Sequence, residues 1–110
     1  MANKYLRLYL TPSAATETTI YTAPAANNAV LSSLRVTNDN ASVANISAAI
    51  YPGGGGTPYK LLKTYALPTS QTMDIFSGVP CVLIAGDVLK VTASVADVDF
   101  YLSYLEIDRS

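Results

Sequence analysis

Acid–base chemistry in this 110-residue sequence has to run without histidine, because the chain contains none. That removes the side chain that most often serves as general base near neutral pH, and with it every Ser-His or Cys-His nucleophile pair. One cysteine and no histidine are too few ligands for a structural zinc site. Carboxylates and lysines remain. Asp97 and Asp99 lie two apart, which on a strand aims both side chains to one face, near enough for a weak calcium site. Asp74 with Asp87 or Glu106 offers the acid and base of a carboxylate pair. Asp97 and Asp99 are more simply read as solvated turn and edge residues. The expectation is a protein that is not an enzyme, with no catalytic residue, cofactor or metal.

Two further features invite a chemical reading. Gly53, Gly54, Gly55 and Gly56 form a run resembling a phosphate cradle, but a P-loop requires Gly-Lys-Ser/Thr opening a helix. Here Thr57 and Pro58 follow and a strand comes next, so the run is expected to be a hairpin tip. Cys81 sits within the apolar run Val79 to Ile84 and is expected to be a small buried hydrophobe. Eight tyrosines without a tryptophan form the largest aromatic resource. Tyr5, Tyr9, Tyr21, Tyr51 and Tyr59 alternate with more apolar positions, which predicts outer sheet faces. Such rings suit either a sugar platform or a protein interface, and the interface is preferred because tryptophan usually leads in sugar binding. The loops Asn38, Asp39, Asn40 and Gly53 to Gly56 are the candidate docking surfaces.

The elements that would position these residues repeat every two residues rather than every 3.6. Tyr5, Arg7 and Tyr9 alternate with Leu6, Leu8 and Leu10; Ile46, Ala48 and Ile50 face away from Asn45, Ser47 and Tyr51. In the stretch from Val30 to Asn38, the set Val30, Ser32, Leu34, Val36 and Asn38 is expected to carry most of the buried bulk. Pro24, Pro52, Pro68, the Asn38-Asp39-Asn40 turn and Gly86-Asp87 punctuate the strands. About eight short strands with turn signals every 8 to 12 residues predict an all-β, single-domain antiparallel β-sandwich, jelly-roll-like, over residues 1–110. Leu34, Val36, Ile46, Ile50, Leu89 and Val91 are the expected core.

Charge and composition narrow the partners. Half the residues are hydrophobic, only 14% are charged, and the mean hydropathy is +0.27. An apolar excess of that kind is most simply covered by a subunit interface, which predicts a homo-oligomer. The formal charge is −1 and the basic residues are scattered, so no phosphate-tracking stripe and no nucleic-acid partner are expected. No apolar stretch approaches the ~18 residues of a membrane helix, and the N-terminal residues do not form a signal peptide, so no membrane partner is expected.

From Ile20 onward the order of segments resembles a group of small tailed-phage virion proteins. The segments are Ile20-Tyr21-Thr22-Ala23-Pro24, Val30 to Asn38 with Arg35-Val36-Thr37-Asn38, Leu83 to Val91 with Gly86-Asp87, and the closing Leu102 to Ile107. The resemblance implies a β-sandwich of the virion, made in the host cytoplasm. Its specific form would be a capsid decoration or cement protein that binds the major capsid protein, with a trimer as the first expectation. A tail, neck or baseplate component that contacts neighbouring tail or neck proteins is the alternative within that group. A carbohydrate-binding host-attachment module is the alternative of another class.

Overall fold

A computed structural model describes residues 3–25, 27–77 and 80–108. Nine strands cross them: β1 (Asn3–Leu10), β2 (Thr18–Thr22), β3 (Asn27–Asn38), β4 (Ala44–Tyr51), β5 (Tyr59–Leu67), β6 (Thr72–Asp74), β7 (Cys81–Leu83), β8 (Val88–Ala93) and β9 (Val98–Asp108). A short 3-10 turn at Pro52–Gly54 joins β4 to β5. All pairings are antiparallel and form two sheets. One has the order β1-β9-β3-β6, with β7 also on β3; the other has the order β2-β8-β4-β5. This is the β-sandwich that the two-residue period predicts.

Each sheet turns one apolar face inward. Leu31, Leu34, Val36, Phe100 and Leu102 from the first sheet meet Ile46, Leu89 and Val91 from the second in a single buried cluster. Five of the six expected core residues are fully enclosed, and Ile50 packs half-buried against them. Removing each such large side chain from water contributes roughly 1.5–3 kcal/mol. Strands that could have competed as helix, notably residues 41–49, are held by this layer: Ile46 and Ala48 are buried, while Asn45 is exposed.

The alternation is interrupted by β-bulges on three strands, and on two of them, β3 and β2, these correct the expected facing. On β3 the partners run Leu31↔Tyr104 and then Ser33↔Ser103, so β3 carries one extra residue at Ser32. The phase reverses there, because a single extra residue moves everything beyond it to the opposite face. Ala29 and Leu31 are therefore buried before the bulge and Leu34, Val36 and Asn38 after it, whereas Val30 points outward and Ser32 is exposed. On β2 an extra residue between Thr19 and Tyr21 buries both Ile20 and Tyr21. Tyr21 is thus not on an outer face. The third case is β5, which carries two extra residues relative to β4, with Thr64 in the left-handed region at φ 51°. Bulges on an edge strand twist it away from ladder addition.

The β3–β4 loop is built around Asn38, which is fully buried rather than presented for docking. Its Nδ2 donates to the carbonyls of Ser42 (2.8 Å) and Leu67 (3.0 Å), and its Oδ1 accepts from the N–H of Asn40 (2.9 Å). Asn40 repeats the motif: its Oδ1 accepts from Ser42 N–H (2.9 Å) and its Nδ2 donates to Ala96 O (3.1 Å). These are consecutive Asx turns, in which a short amide side chain replaces a missing backbone partner. Only Asp39 of the three is exposed.

Two substitutions test this architecture. Leu34→Asp should cost about 3–5 kcal/mol by placing an unpaired charge in the layer between the sheets. Asn38→Ala should cost about 2–3 kcal/mol by orphaning backbone groups at the loop. Urea unfolding followed by circular dichroism measures both, and Asp39→Ala, as the exposed neighbour, should change the midpoint little.

Candidate functional site

Two of the carboxylates that looked like candidate chemistry, Asp74 and Asp87, serve the backbone. Asp74 Oδ1 accepts from the N–H groups of Leu34 (3.2 Å) and Phe76 (3.0 Å), which ends β6 and starts the turn after it. Asp87 accepts from Gly53 N–H (3.1 Å) and Ile84 N–H (3.2 Å) and so ties the glycine turn to the β7–β8 turn. Asp74 lies opposite Arg35 and Glu106 opposite Ala29. Six residues of β3 separate them, roughly 20 Å. Asp99 accepts from the Thr11 hydroxyl (2.6 Å), while Asp97 occupies an exposed turn at φ 60°. Among the described residues, no three His, Cys, Asp or Glu side chains come together as a metal site would require.

Gly53 to Gly56 form the exposed β4–β5 connection, with Gly53, Gly54 and Gly56 at φ 65°, 86° and 76°. Cys81 is half-buried rather than enclosed. Burial, and secondarily the charge of Asp87, pushes its thiol up, which keeps it protonated at neutral pH.

The tyrosines separate into three environments. Tyr21 and Tyr104 pack together inside with ring centroids 4.6 Å apart, and the Tyr21 hydroxyl donates to Glu106 (2.7 Å). Tyr51 lies half-buried on the outer face of the second sheet. Its hydroxyl donates to both carboxylate oxygens of Glu17 (2.8 and 2.9 Å), and the Lys90 ammonium stands 4.4 Å above its ring. The bond to Glu17 raises its phenol above the ordinary value. Tyr59, on the edge strand β5, is 68% exposed.

Tyr5 and Tyr9 project from β1 over the outer face of the first sheet, 85% and 68% exposed. Tyr9 makes an edge-on contact with Tyr101 (5.0 Å between centroids) and its hydroxyl accepts from Arg7 Nε (2.8 Å). Tyr5, Arg7, Tyr9, Ser32, Tyr101 and Ser103 line a shallow, open groove of about 590 Å³. A second depression of about 510 Å³ continues past Tyr9 and Tyr101 to Arg35, Thr37 and Asp99. Below them the register aligns Tyr5, Leu105, Val30 and Val82 in one cross-strand row of apolar side chains. Leu105 and Val30 are half-buried and Val82 is 61% exposed. The groove and this row make the outer face of β1-β9-β3-β7 the candidate functional surface. Tyr101, Leu105 and Val82 are absent from the expectations because their place on it depends on which strand lies beside which.

No protein-family model and no curated protein matches the sequence. Solved structures do match in shape. A subunit from Bacillus endospore appendages, described as disulfide-linked pili, aligns over 99% of this chain and 88% of its own length, with TM-score 0.59 and 16% identity. A chain of the T13 particle of infectious bursal disease virus aligns over 96% of this chain with TM-score 0.56 and 11% identity. A chain of the T=1 particles derived from the same virus aligns over 97% with TM-score 0.55 and 13% identity. This chain spans about a third of those two viral chains, 31% and 32%. The likeness is one of fold: the sandwich is shared with capsid and pilus structural proteins.

The buried Tyr21–Glu106 pair yields a pH prediction. Burial first, then the bond to Glu106 and its charge, push the Tyr21 phenol well above its ordinary 10.0. The unfolded chain releases that proton near pH 10 while the folded chain keeps it, so the contribution is complete below about pH 10 and declines as pH rises further. Tyr21→Phe should cost about 1.5–3 kcal/mol at neutral pH, the worth of a bond to a charged acceptor. It should also flatten the alkaline decline in thermal stability. An alkaline slope identical to that of the parent would show that the pair is open in solution.

Proposed function

We propose that this chain is a non-enzymatic structural subunit of a virus particle, and specifically a decoration or cement protein on a phage head shell. The observation that carries this reading is the outer face of β1-β9-β3-β7, an open surface of tyrosines and aliphatic side chains on a fold used by capsid proteins. The strand order β1-β9-β3-β6 over β2-β8-β4-β5 corresponds to the jelly-roll winding of two Greek keys. The carboxylates are engaged by backbone and hydroxyl donors, which supports a scaffold rather than proton-transfer chemistry.

The pilus likeness argues for a structural role of a different kind, but a disulfide-linked polymer needs at least two cysteines in each subunit. This sequence carries Cys81 alone, with its thiol held protonated. On this reading the sandwich is added onto a shell made by another protein, the major capsid protein. Binding repeated over a lattice needs little affinity per site, and preference for the intact shell stabilises it by mass action.

Particles lacking this protein should assemble but break at lower temperature or under osmotic shock, and purified protein added back should restore them. Tyr9→Ser combined with Arg35→Glu alters two exposed positions of the same cross-strand row and should abolish the restoration without lowering the melting temperature of the free protein. Labelled protein found at the tail, or particles of unchanged stability, would turn the assignment to the neck or baseplate.

A further inference from the structure

We infer that the free edge of β1 accepts an extended segment of another chain, which adds a further strand to the first sheet. The source of that segment, the shell protein, rests on the decoration reading above, which is thereby deepened to a mode of joining. The sandwich has four edges, at β1, at β6 and β7, at β2 and at β5. Three of them carry features that block strand addition. β6 and β7 have three residues each, β2 has five and a bulge, and β5 has two register shifts with exposed Lys60 and Lys63. β1 differs. It runs eight residues in unbroken register from Asn3↔Ile107 to Leu10↔Phe100, without proline or bulge, and its one lysine, Lys4, stands beside its first residue.

The backbone of β1 is paired on one side. In an antiparallel ladder alternate residues direct N–H and C=O away from the neighbour, which leaves about four of each along a strand of this length. Among the described residues, no backbone group of residues 3–10 has a partner beyond the ladder with β9. A second extended backbone matches such a row of donors and acceptors group for group.

The inward side chains of β1 call for the same addition. Leu6, Leu8 and Leu10 alternate toward the layer between the sheets, yet Leu6 is 38% exposed and Leu8 and Leu10 are half-buried. Their direct partners on β9, which are Tyr104, Leu102 and Phe100, are enclosed. β9 has a strand on each side, whereas β1 has one. A body docked flat on the outer face would leave these leucines as they are. A strand that continues the sheet brings its own inward side chains against them.

Charge selects the outward side chain. Arg7 stands in the middle of β1 with its Nε on the Tyr9 hydroxyl (2.8 Å), and its row continues through Ser103 and Ser33 without a carboxylate. Opposite charges side by side stabilise a ladder, and like charges disfavour it. The segment that fits carries an aspartate or glutamate beside Arg7 and aliphatic residues just before and after it, beside Leu6 and Leu8. Its core is an aliphatic–acidic–aliphatic run in extended conformation.

The probe for the edge is a synthetic peptide of alternating valine and threonine, with a central glutamate between two valines and flanking lysines for solubility. Amide exchange followed by NMR in the full chain should show alternate β1 amides exchanging quickly in the free protein and roughly ten-fold or more slowly with peptide bound. Arg7→Glu should weaken this peptide roughly ten-fold, and a peptide with lysine in place of glutamate should prefer the variant to the parent. Arg7 is exposed, so the variant should melt with the parent. On particles restored by added protein, β1 should be protected beyond its level in the free protein. A peptide that leaves β1 exchange unchanged, or binds parent and variant alike, would overturn the inference. Slow exchange that appears in the free protein as its concentration rises would give the edge to a second copy, which also overturns it. Restored particles on which β1 exchanges as in the free protein defeat the added strand and leave the decoration role standing. Particles left unrestored by a protein whose β1 takes up the peptide defeat the decoration role and leave the edge standing.

Discussion

The dry layer between the two sheets is the constraint on which the rest of the molecule depends. Leu31, Leu34, Phe100 and Leu102 from one sheet and Ile46, Leu89 and Val91 from the other are fully enclosed, and among the described residues no α-helix or disulfide supplements them. The strands that form this layer must therefore present apolar side chains on the inner face, whatever stands on the outer one. Where the residue order would carry a strand out of phase, the backbone absorbs the error as a bulge. Ser32 on β3 and the extra residue on β2 are such corrections.

The same requirement explains the fate of the polar residues. A sandwich of short strands has many turns, and each turn leaves backbone groups without ladder partners. Asn38, Asn40, Asp74 and Asp87 supply those partners. Side chains that might have formed a reactive centre are thereby distributed over separate turns and fixed by short local bonds. Left exposed are Tyr5 and Tyr9 of β1, Val82 of β7 and Lys60 and Lys63 of β5.

The half-buried pair of Tyr21 with Glu106 ties the second sheet to the first through a charged acceptor and makes the stacking of the two sheets sensitive to alkaline pH.

The sequence by itself determined the class of fold, the positions of its turns and most of its core. Period-two alternation in β1 and β4, with proline, glycine and asparagine between strands, is a local property and survives without knowledge of neighbours. It also determined that histidine-based chemistry is absent. Tertiary structure decided the rest. Bulges have no sequence mark of their own, since they arise where two strands of unequal phase must share one ladder; hence Tyr21 went inside and Val30 outside. Asn38 looked like a solvated turn residue because its partners, Ser42 and Leu67, come from a loop and a strand whose approach only folding brings about. The candidate surface was half legible: Tyr5 and Tyr9 announce themselves by alternation on one strand. Tyr101, Leu105, Val30 and Val82 join them only through pairing between strands far apart in the chain, and no local pattern encodes which strands will be neighbours.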